Sequence, residues 1–177
     1  MNIPRSTTDN QVTNTMQATP RTTLIILCLL GVATAFASET EAPTNNDEQS
    51  LVAIIKAIEH GWENADGQTF RTHFLDFTGA RYIESGGQND GLTDLIEHHV
   101  EPEGDALADF DLLFSNIETH VEGDFAWAIA DVELTATVRR DGREIHNRGY
   151  ETFLFRRMGT EWKVVHTHSS SRAVKTD

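Results

Sequence analysis

Glu161-Trp162-Lys163-Val164-Val165-His166-Thr167-His168-Ser169-Ser170 is the stretch whose reading decides the fold. Its short period and β-branched residues make it a strand. Residues two apart on a regular strand share a face, so Trp162, Val164, His166 and His168 are expected to point one way. The two imidazoles would then lie roughly 6–7 Å apart. Working back along the chain, Met158-Gly159-Thr160 is a turn and 144–157 is the preceding strand. Asp141-Gly142 is a hairpin signal that joins it to a long strand over 125–140, with another strand over 115–121 in front. The second half of the chain therefore reads as a meander of four antiparallel strands.

The residues before it follow a different period. Leu51, Ile54, Ile55, Ile58 and Trp62 recur at helical spacing, which predicts an amphipathic helix with Asp47 as N-cap and an end near Asn64-Ala65-Asp66-Gly67. A second helix, about 68–75, carries Phe70 and Phe74 on one side. The span 76–91 is rich in glycine and holds one short strand at 80–84. Leu92, Leu95, Ile96 and His99 define a third helix, expected to break at Pro102 and Gly104. Helices first and strands afterwards indicate an α+β domain, with helices on one face of an antiparallel sheet.

This order and three phrases, Trp62-Glu63-Asn64-Ala65-Asp66, Phe153-Leu154-Phe155-Arg156-Arg157 and the 161–170 stretch, resemble the SnoaL-like branch of the nuclear transport factor 2-like superfamily. Ketosteroid isomerase relatives belong to that superfamily. The resemblance covers residues 47–173. It implies a conical, cystatin-like α+β barrel in which a strongly bent antiparallel sheet wraps a pocket and three helices close its side. It also implies a homodimer formed through the outer face of the sheet, and an apolar pocket of that kind is expected to take a small, largely apolar molecule. Members include isomerases, dehydratases, cyclases and association modules without catalysis, so the fold does not name the function.

Residues 24–37 are an uncharged apolar run preceded by Arg21 and ending Ala35-Phe36-Ala37. A basic flank, a short apolar core and a small-x-small end read as a secretory signal peptide over 1–37, hence an exported, periplasmic or secreted protein. The run is too short for a membrane span, which needs ~20 residues. Translation starting at Met16 would give a signal of ordinary length, and no stable membrane span is expected after cleavage. Residues 38–46 read as a flexible tether and 174–177 as a tail.

The full chain has 177 residues and a net charge of −14. Removing the leader takes Arg5 and Arg21 from the 14 basic residues and Asp9 from the 28 acidic ones, which leaves −15. Such acidity argues against nucleic-acid binding, which needs clustered Lys and Arg. The single cysteine, Cys28, leaves with the leader, so disulfides, a cysteine nucleophile and multi-Cys metal sites are excluded. Chemistry is left to histidines and carboxylates.

His166 and His168 are the leading acid/base candidates, on a face shared with Trp162; hydrogen-bonded wall residues are the plainer alternative. His99, on the stripe of the third helix, reads either as a satisfied core or interface histidine or as a third imidazole that converges with them inside the cone. Glu84, in Tyr82-Ile83-Glu84-Ser85-Gly86-Gly87, can approach the same space, with Tyr82 beside it. Glu151 shares a face with Phe153 and Phe155, the setting of a buried carboxylate with a displaced pKa. Asp131 and Glu133 read as the solvated side of their strand. His99, His166, His168 and Glu84 together would also suit zinc or copper, although no stretch has a recognised ligand spacing and no cofactor is otherwise expected. A steroid isomerase's base and paired oxyanion donors are not recognisable, since the only tyrosines are Tyr82 and Tyr150. The functions in contention are a small-molecule-binding domain of isomerase or lyase type, a metal-binding protein, and a non-catalytic dimeric association module.

Overall fold

In the computed structural model, which describes residues 45–175, the chain opens with helix α1 (Asn45–Glu63). The expected signal peptide and most of the expected tether lie outside the described residues. Leu51, Ile54, Ile55 and Ile58 are buried, as their spacing requires. Asp47 sits inside the first turn and is not the N-cap. Its carboxylate accepts from Trp162 Nε1 at 3.1 Å and from Arg157 Nη2 at 2.7 Å. The start of α1 is thereby pinned to the two last strands. Helix α2 (Gly67–His73) is capped by Asp66, which accepts from Gln68 N at 3.0 Å.

Strands β1 (Arg81–Glu84) and β2 (Gly87–Asp90) form a hairpin through Ser85 and Gly86, both with positive φ. That is the twist a two-residue hairpin loop needs. Only β1 was expected, because Gly-Gln-Asn-Asp carries no apolar alternation. The third helical stretch runs on past Pro102: α3 (Leu92–Leu95), a wide π turn (Ile96–Val100) and α4 (Glu101–Ala106). Proline has no N–H for the carbonyl four residues back, and its ring crowds that carbonyl. Widening the preceding turn accommodates both, so the expected break becomes a bulge within a continuous helix.

Strand β3 (Leu107–Glu122) begins eight residues earlier than the sequence suggested, and β4 (Phe125–Val138), β5 (Glu144–Met158) and β6 (Glu161–Ala173) follow. The order across the sheet is β2-β1-β6-β5-β4-β3. The sheet is mixed: β1 runs parallel to β6 and the other neighbours are antiparallel. Two bulges interrupt β3, next to Asp109 and Asn116, which adopt positive φ; bulges bend a strand and sharpen its twist. Edge strand β3 is covered by α1, where Glu59 Oε2 accepts from Phe114 N at 2.6 Å and Lys56 Nζ donates to Phe114 O at 2.6 Å. In the core, Ala126 and Ala128 of β4 lie opposite Phe155 and Phe153, so large side chains fill the space small ones leave. Among the described residues no helix is long and apolar enough to cross a membrane.

The last strand departs from regular alternation. Phe155 pairs with Val164 but Leu154 pairs with His166, leaving Val165 as an extra residue. Before this bulge Trp162 and Val164 are buried; after it Thr167 is buried and His168 is exposed. One inserted residue moves every later side chain to the opposite face.

Candidate functional site

The cavity lies where the helical stretch 92–106 meets the inner face of the sheet. Leu95, Phe110, Leu112, Val132 and Leu134 supply its apolar wall. About 60 Å³ is open to the centre of a water molecule, room for roughly four waters. Set into that wall are Tyr82 and Glu84 from β1, His99 from the π turn, Glu103 from α4 and Glu151 from β5. Ser169, Ser170 and Ser171 of β6 complete it.

His99 is the centre of the polar group. Its Nε2 lies 3.0 Å from Glu84 Oε2 and 3.5 Å from Glu103 Oε1. Trp62 packs edge-on against the imidazole, 5.0 Å between ring centres. The two carboxylates push the His99 pKa up to about 10, Glu103 most and Glu84 next, against burial, which pulls it down. Glu84 is nearer, yet its side chain is 46% exposed against 26% for Glu103, and water screens the more exposed partner. The ring is an imidazolium at neutral pH. The Asn89 amide lies 3.1 Å from Nδ1, and turning it about its axis presents its oxygen to a protonated ring.

Glu151 has no hydrogen-bond partner among the described residues. It is half-buried and lines the cavity. Burial is the main reason its pKa rises to about 8, and the charge of Glu84 adds to it. Tyr82 is 1% exposed, and its hydroxyl is buried without a partner among the described residues. Burial first, and the charge of Asp76 second, hold that phenol neutral with a pKa of about 12.

Three expectations are corrected. His166 and His168 do not line the cavity, because the Val165 bulge turns them to the other face. His166 Nδ1 instead meets the Arg81 carbonyl at 2.6 Å, and His168 is exposed. Trp162 is buried under the start of α1, with the Arg157 guanidinium 4.4 Å above its ring, and is no pocket residue. The four metal ligands that the sequence suggested do not assemble. His99 and Glu84 meet, His166 and His168 face away, and no group of three or more potential ligands suited to a metal occurs among the described residues. Glu133, paired with Arg148 at 2.7 Å and His146 at 2.8 Å, belongs to the solvated side, as expected.

A family model described as a SnoaL-like domain matches residues 51–174. The chain belongs to that family. Solved structures share the fold of this SnoaL-like domain at low identity. A nuclear transport factor 2-like superfamily protein from Salmonella enterica serovar Typhimurium superposes with a TM-score of 0.66 at 23% identity, covering 73% of this chain and 93% of the other. An uncharacterised cystatin-like protein from Caulobacter vibrioides gives 0.58 at 18% identity, over 71% and 89%. A protein of the same superfamily from Streptomyces avermitilis, described as a candidate dehydratase, gives 0.64 at 16% identity, over 75% and 100%. No curated protein matches the chain. Family and fold together support a small-molecule-binding α+β domain and leave the ligand open.

Sequence reasoning missed Glu103, Asn89 and Trp62 in the site of this SnoaL-like domain. Glu103 had a signal, since it stands four residues after His99, where helical side chains meet; reading Pro102 as a helix end concealed it. Asn89 had none, because β2 exists only through its pairing with β1.

Proposed function

We propose that this is an exported domain that binds a small, largely apolar molecule in the cavity and moves a proton on it, in the manner of an isomerase or lyase. The observation that carries this reading is an unpartnered carboxyl, Glu151, on the same cavity as the His99–Glu84–Glu103 group. A general acid/base works best with a pKa near the working pH, and about 8 for Glu151 is close to neutrality. His99 is held as an imidazolium by Glu84 and Glu103 and offsets part of the negative charge of those two carboxylates. The cavity is open, which favours binding over a vestigial pocket. The apolar leader supports export. Exposed Ile129 and the His120–Trp127 stack, 3.9 Å between centres, on the outer sheet face support a homodimer.

Butanone in D₂O tests both halves of the proposal. Binding is read from amide shifts of cavity residues, and proton transfer from deuterium entering the carbons beside the carbonyl. Exchange should be faster with the natural protein than with Glu151→Gln. Shifts without exchange above buffer would remove catalysis, and no shifts would count against this ligand class.

A further inference from the structure

We infer that the cavity selects a small organic cation, an ammonium group carried on a short apolar body. This rests on the proposal that the cavity binds a small molecule, and adds the chemical class. Three carboxyl groups from three different elements, Glu84, Glu103 and Glu151, line one small cavity. The only basic side chain among its described lining residues is His99, already engaged by Glu84 and Glu103. Neither lysine nor arginine is among the described residues that line it, and an anionic ligand would meet the field of the three carboxylates.

Two polar groups on the same cavity are left over. Half-buried Glu151 accepts no hydrogen bond from the described residues, and the buried Tyr82 hydroxyl has no partner among them. An unsatisfied buried group such as the Tyr82 hydroxyl calls for an explanation, and an absent ligand is one. An ammonium supplies several N–H donors, answers the negative charge of Glu151 and Glu84, and lets the Tyr82 oxygen accept. Aromatic Trp62 and Phe110 also line the space, and aromatic rings attract cations. A neutral alcohol would satisfy one or two of these groups and leave the carboxylate field unanswered.

The proton inventory gives the inference its signature. The titratable groups that line the cavity with Glu151 are Tyr82 and Glu84 from β1, His99 from the π turn, Glu103 from α4 and, at its exposed rim, Tyr150 from β5. In the empty cavity Glu151 keeps its proton up to about pH 8. When an ammonium binds, the carboxyl loses that proton to solvent and forms the ion pair, so binding tightens as pH rises. His99 remains protonated over the same range.

Isobutylamine, isobutanol and isobutyrate are matched in shape and differ in charge. Each is titrated into the natural protein and Glu151→Gln at pH 6 and pH 8, with amide shifts of cavity residues as the readout. At pH 8 the expected order is amine first by at least tenfold, then alcohol, then carboxylate. The amine should tighten at least tenfold from pH 6 to pH 8, and in Glu151→Gln it should lose both the pH dependence and its advantage over the alcohol. An alcohol that binds as well as the amine, or a flat amine profile in the natural protein, overturns the cation and leaves the binding proposal standing. If none of the three shifts the cavity amides at tens of millimolar, both fall.

Discussion

Replacing Glu151 with Gln should make this domain more stable, and only on the alkaline side. Glutamine has the shape of a protonated glutamate and no charge to bury. The structure raises the carboxyl from an ordinary 4.5 to about 8, chiefly by burial. A carboxyl whose pKa is higher folded than unfolded binds its proton more tightly in the folded chain. Its cost to stability is small below the unfolded value, grows as pH rises from about 4.5 to about 8, and is constant above. At about 1.36 kcal/mol per pKa unit the full cost approaches 5 kcal/mol, and the part that develops between pH 5 and pH 9 is about 4 kcal/mol. Water entering the cavity lowers these figures, so they are ceilings. Urea unfolding of both proteins at several pH values measures the difference, and the His99 contribution is common to both. At pH 5 the two midpoints should nearly coincide, and at pH 9 the Gln variant should be the more stable by about 2–4 kcal/mol. Parallel stability curves from pH 5 to pH 9 would refute the claim that burial raises the Glu151 pKa.

The other predictions concern the neighbours of this carboxyl and the strands that carry it. His99 gains stability from its raised pKa, fully present below about 6.5 and lost as pH climbs to about 10; its Cε1 proton resonance should titrate near the upper value, and Glu103→Gln should lower it more than Glu84→Gln. A Cβ at Gly149 would lie within van der Waals overlap of the Ser170 carbonyl oxygen, so Gly149→Ala should cost ~3 kcal/mol or prevent folding. Gly159→Ala, strained only by φ +66 with open space around it, should cost ~1 kcal/mol, and urea unfolding of both variants measures the contrast. His166→Ala and His168→Ala should leave cavity amide shifts and butanone binding unchanged, and loss of binding in either would contradict the strand register given above.

Much of the site was legible in the chain. Glu151 could be placed on the buried face because Phe153 and Phe155 flank it at period two on a strand without a bulge at that point. His99 fell on the inner stripe of its helix, and Glu84 at a strand end could reach it. What misled was local regularity taken too far. The spacing Trp162, Val164, His166, His168 is a sound period-two pattern, and the strand contradicts it after Val164.

The sequence by itself determined the α+β class, the helical and strand periods, and the poverty of chemistry beyond histidine and carboxylate, because these depend on residue type and local spacing alone. The tertiary structure decided which residues meet. A bulge is settled between two strands: Phe155 and Val164 hold one register, Leu154 and His166 another, and Val165 is the residue left over. The parallel pairing of β1 with β6 brings Glu84 beside the cavity, and the π turn ahead of Pro102 lets α4 continue far enough for Glu103 to reach His99. Each is a contact between segments distant in the chain or a helix geometry that packing sustains, and no local periodicity encodes it.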